Sequence, residues 1–171
     1  MSGDTSEPPV AVDEELIESF EIPITGRVVS AAMGGGFLGT VAMLPVLVGI
    51  PGLLGLFRTE PVTRFAGFAE FFGLEPTVTL GGALFLFGGT VVLPLTFLVV
   101  GAFMPPESPR YFRGITFAMA FWVGFVPAFW PAAGVATTAA FLVFSFAGHW
   151  AYGLTLGYVL TNTSGIPQHE V

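Results

Sequence analysis

One side chain with chemistry beyond a phenol lies deep in the apolar stretches of this sequence: His149, in AGHWAYG (147–153). An imidazole can ligate a metal, carry a proton or hold a hydrogen bond. What it does depends on its neighbours. Counting by four from His149 gives Thr137, Phe141, Ser145, Gly153, Gly157 and Thr161. Residues four apart share one face of a helix, so His149 falls on a stripe of small and hydroxyl residues. Gly153 and Gly157 form GxxxG, a spacing that lets two helix backbones approach closely. This face is expected to meet other helices and not lipid.

A polar group at such a depth needs a partner. Thr40, Thr90, Thr96, Thr116, Ser145 and carbonyls freed by Pro45 or Pro94 are candidates, and no carboxylate lies in any apolar stretch. The plain reading is a hydrogen bond across helices, of about 1 kcal/mol. Haem ligation is the sharper one, with His149 as the candidate ligand. The other histidine, His169, lies in the tail, so one chain does not supply two axial histidines within a membrane. An oligomer or a partner subunit would have to complete the site. Met33, Met43, Met104 and Met119 form no copper-type cluster with His149. A proton relay would have only Tyr152 and Tyr158 on the same helix to work with.

A second set is aromatic. Phe117, Phe121, Phe125 and Phe129 are four apart, with Trp122 and Trp130 beside them. They either line a groove for lipid or quinone, or face lipid and pack the helices. The sequence contains no cysteine, which removes disulfides, thiolate metal sites and iron–sulfur clusters. It shows no nucleophile–base pair, phosphate-binding loop or zinc motif. A net charge of −7 argues against nucleic acid. No catalytic residue, no cofactor and no metal ligand is therefore expected.

These residues must be positioned by apolar helices. The chain has 171 residues, 53% hydrophobic and 10% charged, and its mean hydropathy is +0.81. No charged residue occurs over 28–57 or 76–106, and His149 is the only titratable candidate besides tyrosine over 114–168. Uncharged runs beyond about 18 residues read as membrane spans. The reading is an all-α integral membrane four-helix bundle, with kinked helices containing Gly and Pro. Its spans run over about 27–54, 78–104, 111–130 and 136–161. A short interfacial helix is expected within 58–76, where FAGFAEFFG is aromatic and weakly amphipathic. Residues 1–22 form an acidic tail, with an amphipathic segment around Leu16, Ile17 and Phe20. The membrane domain covers 23–161, and a polar tail covers 162–171. An acidic start lacks the basic region of a signal peptide, so the first span is expected to stay as an anchor.

Within the spans, Ala31, Gly35 and Gly39 repeat the small-residue spacing, and GTVAMLP (39–45) is echoed by GTVVLP (89–94). Gly35, Gly39, Gly89, His149, Gly153 and Gly157 are the expected helix-packing residues. Tyr111, Trp130 and Tyr158 fall near span ends, as an interfacial belt would.

Lysine is absent, all five cations are arginines, and seven of the twelve acids precede residue 22. An acidic, lysine-free chain suits high salt, where the Debye length is about 3 Å at 1 M and self-repulsion is screened. A halophilic archaeal source is expected. Arg27, Arg110 and Arg113 fall on one side of a four-span protein, and Arg58 and Arg64 on the other. That bias puts both termini in the cytoplasm.

The stretches RGITFAMAFWVGFVPAFWPAAG (113–134) and HWAYGLTLGY (149–158) resemble those of small, uncharacterised haloarchaeal four-helix membrane proteins. The likeness covers about 27–161. Some of those proteins are associated with the haem-copper terminal (cytochrome c) oxidase. The resemblance implies an accessory or structural subunit and assigns no catalytic residues. The chain lacks the six histidines of a catalytic oxidase subunit and the Cys/His/Met set of a dinuclear copper subunit. The expectation is a non-catalytic membrane subunit, in contact with lipid and with other membrane subunits or copies of itself. The alternatives are a small oligomeric transporter or channel, and a haem- or quinone-interacting membrane protein.

Overall fold

The structure is a computed structural model and describes residues 24–166. The expected acidic tail, its amphipathic segment and His169 lie outside those residues. Among the described residues every regular element is helical. The physical reason is the composition: hydrocarbon offers no partner to a bare N–H or C=O, so an apolar span must bond its backbone internally.

Five helices follow in order. We label them α1 (Gly26–Leu53), α2 (Glu60–Phe65, continued as a 3-10 helix over Ala66–Phe72), α3 (Val78–Phe103), α4 (Phe112–Ala128) and α5 (Val135–Thr163). Thr25 caps α1, its hydroxyl accepting from Val28 N at 3.4 Å. Thr77 caps α3 in the same way through Leu80 N at 3.1 Å. Gly73, at φ +72°, ends the 3-10 turn in a left-handed conformation that glycine adopts without strain.

Helices α1, α3 and α5 are long and apolar enough to cross a membrane, at 28, 26 and 29 residues. The protein is an all-α membrane protein. The expected third span over 111–130 is shorter than read: α4 has 17 residues. At 1.5 Å per residue it covers about 26 Å, against about 30 Å of hydrocarbon. Prolines set both ends. Pro105, Pro106 and Pro109 keep the chain non-helical before Tyr111, and Trp130–Pro131 stops it after Ala128.

Neighbouring helices run antiparallel. Gly35 of α1 meets Leu156 and Val159 of α5, and Gly148 meets Met43. Phe97 of α3 packs on Phe117 of α4 at 5.1 Å between ring centres. Phe85 approaches Phe125 at 6.3 Å. The fully buried side chains Phe97, Phe117, Leu98, Tyr152, Leu156 and Leu160 form one core. They lie toward the end where α1 begins and α5 finishes.

Two proline-linked turns shape the rest. Residues Pro45–Gly49 and Gly88–Val92 are π-helical. Leu93 N donates to Gly88 O and Ile50 N donates to Pro45 O, each five residues back. The next donors in that register would be Pro94 and Pro51, which have no N–H. The structural equivalence thus pairs Pro51 with Pro94, whereas the sequence echo pairs Pro45 with Pro94. The first half of α3, Val78–Phe87, has α2 as its main neighbour outside its own helix. The helices therefore pack tightly at one end and separate at the end covered by α2.

Candidate functional site

At the separated end lies an apolar cavity of about 290 Å³. Four helices wall it: α1 through Leu44, Leu47 and Pro51, α3 through Val78, Gly82, Phe85 and Leu86, α4 through Phe125 and Phe129, and α5 through Phe141. Pro61 and Val62 of α2 close one side, and Arg58 stands at the rim. Rings form the inner wall. Phe125 stacks on Phe129 at 4.3 Å and on Phe141 at 5.8 Å, and Phe65 of α2 packs on Phe129 at 4.7 Å. The aromatic row of α4 is thus divided. Phe117 is core, Phe121 is exposed, and Phe125 and Phe129 line the cavity.

His149 sits behind that wall. Its ring lies 4.7 Å from Phe125 and is 5% exposed. Nδ1 stands 2.8 Å from the backbone carbonyl of Ser145, one turn earlier on the same helix. As the donor it takes the tautomer with hydrogen on Nδ1. The hydrogen bond expected across helices is instead within α5, because the i−4 carbonyl is in reach of the ring without any second helix. The Ser145 hydroxyl makes the cross-helix bond, accepting from Trp122 Nε1 at 3.0 Å.

Tyr152 bridges further. Its hydroxyl donates to Gly89 O at 2.7 Å, the carbonyl that Pro94 leaves without a partner in the π turn. Around it the backbones are close. A Cβ at Gly39 would fall 2.9 Å from the Tyr152 ring, and one at Gly89 would fall 2.6 Å from Thr40 Oγ1. A Cβ at Gly36 would fall 2.7 Å from Gly89 O and overlap the Pro94 ring. Gly35 faces α5, with Leu156 Cδ1 3.2 Å from such a Cβ. Gly153 and Gly157 face α4, where Gly114 and the Tyr111 carbonyl leave no room for a side chain.

Three residues escaped the sequence reading. Gly36, inside GGG, makes the tight contact with α3 that the spacing of Gly35 and Gly39 did not single out. Gly114 completes the α4–α5 contact. Arg113, expected with Arg27 and Arg110 as a charge on one side of the membrane, is buried at 6% exposure. Its guanidinium donates to Ala102 O at 3.1 Å and to Pro106 O at 3.0 Å. The signal available for it was its place three residues after Arg110 and directly before a glycine-opened apolar run.

Among the described residues no group of three or more His, Asp or Glu stands close enough to hold a metal ion. What the arrangement offers is an apolar chamber with a basic rim, set on a scaffold whose named buried polar groups all have partners inside the fold.

The fold defines a helical membrane protein. The chain belongs to a family of unknown function, DUF6789, over residues 26–171. No curated protein and no solved structure matches it.

Proposed function

We propose that this is a non-catalytic membrane subunit that crosses the bilayer four times and packs beside other membrane proteins. The observation that carries this is the use of its polar side chains. His149, Tyr152, Trp122, Ser145, Thr40 and Arg113 each bond within the chain. A relay or a transport path would leave such groups facing one another or a channel. Here they fasten backbone carbonyls and neighbouring helices, as a scaffold requires.

In this reading α4 is the fourth crossing, at the short end of the range for a span. Antiparallel packing against α5 and α3 supports it. Arg27, Arg110 and Arg113 then share a side opposite Arg58 and Arg64, which supports cytoplasmic termini in the cell membrane. Exposed apolar side chains such as Phe37, Val41, Val99 and Val143 serve as the surface for lipid or for neighbouring subunits. A haem-copper (cytochrome c) oxidase is the partner the sequence resemblance suggests, and an acidic, lysine-free halophile chain is the context.

The test is affinity purification of the full chain from native membranes in mild detergent. Co-purification of oxidase subunits in fixed ratio supports the proposal. A chain that runs alone, with no other membrane protein, refutes it.

A further inference from the structure

The cavity has a neighbour. Arg58, Pro61 and Pro131 line both the apolar chamber and a polar recess of about 380 Å³. Glu60, Arg64, Ala132, Ala133 and Gly134 complete that recess. An apolar chamber and a polar recess thus meet at one arginine. The recess holds two guanidiniums against one carboxylate. Arg64 gives one long hydrogen bond, Nη1 to Trp130 O at 3.4 Å. No hydrogen bond or ion pair engages Arg58 among the described residues. The level of the recess in the bilayer is marked by α2, whose continuation carries Phe71 and Phe72 at 91% and 79% exposure. Aromatic side chains exposed on a short helix between spans belong at the interface, where headgroups lie.

We propose that this site binds one anionic phospholipid, with a hydrocarbon chain in the chamber and its phosphate on Arg58 and Arg64. Each half fits. The chamber is close to the lower end of the ~300–1,000 Å³ typical of small-molecule sites, and the side chains of its inner wall are apolar. A guanidinium fork matches a phosphate through paired N–H donors. A quinone fits less well, since its neutral oxygens want donors inside the chamber. The nearest imidazole, His149, lies behind Phe125 with Nδ1 on a carbonyl. The lipid site does not depend on which subunit the chain packs against.

The test uses the delipidated full chain in detergent, titrated with dioleoyl phosphatidylglycerol or dioleoyl phosphatidylcholine and read by native mass spectrometry and thermal shift. We expect saturable one-to-one binding of the phosphatidylglycerol, about five- to tenfold tighter than the zwitterionic lipid, as for one or two charge-assisted contacts. Arg58→Gln and Arg64→Gln should each weaken phosphatidylglycerol more than phosphatidylcholine, whose own phosphate also meets the guanidiniums but whose choline offsets part of the attraction, and so should narrow the preference. Gly82→Leu probes the chamber: a Cβ there meets nothing within 4 Å, so the side chain has room to fill the space. It should weaken both lipids. Equal binding of the two lipids overturns the proposal. So does unchanged phosphatidylglycerol affinity in Gly82→Leu, or competition by glycerol 1-phosphate at the same concentration as the lipid, which would mark a plain phosphate site.

Discussion

The bond from Tyr152 to Gly89 joins the two features that most shape the fold, the π turn of α3 and the close-packed face of α5. Tyr152→Phe removes one oxygen from a side chain that is 2% exposed and leaves its packing intact. The change removes the hydrogen bond that Tyr152 gives to Gly89 O, a carbonyl to which Pro94 has no N–H to donate. Interhelical hydrogen bonds in membranes are worth about 0.6 kcal/mol on average and about 1.7 at most. A buried acceptor left bare costs about 1–3 kcal/mol. The expected loss is therefore about 1–2 kcal/mol, read from equilibrium unfolding in mixed micelles. Tyr158→Phe is the control, because Tyr158 is 58% exposed. Pro94→Ala closes a double-mutant cycle. It restores an N–H to α3, so Gly89 O gains a backbone donor from residue 94 in the π register or from Leu93 in the α register. Tyr152→Phe should then cost less than about half as much in the Pro94→Ala background. Equal costs in the two backgrounds, or a Tyr152→Phe no different from Tyr158→Phe, would refute the account of the π turn.

The other predictions concern packing and ligation. Gly36→Ala drives a Cβ into Pro94 and Gly89 O and should destabilise by about 1–3 kcal/mol, whereas Gly34→Ala meets nothing within 4 Å and should be neutral in the same unfolding assay. Arg113→Met strands the carbonyls of Ala102 and Pro106 and should cost about 2–3 kcal/mol. Arg113→Lys should recover only part of this, because an ammonium lacks the fork that reaches both; full rescue by lysine would show that only the charge matters. His149→Ala should cost about 2–3 kcal/mol by opening a void beside Phe125. The purified protein should show no Soret absorption; a band present in the native chain and lost in this variant would make His149 a haem ligand.

Which parts of this molecule were legible in its sequence follows from the forces that fix each part. The membrane class and the positions of the helices come from uncharged length, which the chain carries locally. The three long helices begin and end within two residues of the spans read from charge and proline. The same local signal gave 111–130 for α4, where the helix itself covers Phe112–Ala128, since prolines fix where a helix stops but not whether 17 residues suffice to cross.

Which glycine meets which helix is a different matter. Gly35, Gly36 and Gly39 lie within five residues, yet they face two different helices. Spacing shows that a close contact exists, and the crossing geometry chooses its partner. His149 shows the same limit: its helical face and burial follow from its neighbours at four-residue spacing, while its hydrogen bond to Ser145 O depends on a rotamer. The buried Arg113 and the chamber with its basic rim depend wholly on tertiary structure. The guanidinium finds its carbonyls only once the 101–109 segment folds back over α4. The chamber exists because two proline-linked π turns and the lean of α3 toward α2 separate helices that touch at their other end. Apolar length, a sum over neighbouring residues, determined what kind of protein this is. Only the relative placement of distant helices decided where it has a place to bind anything.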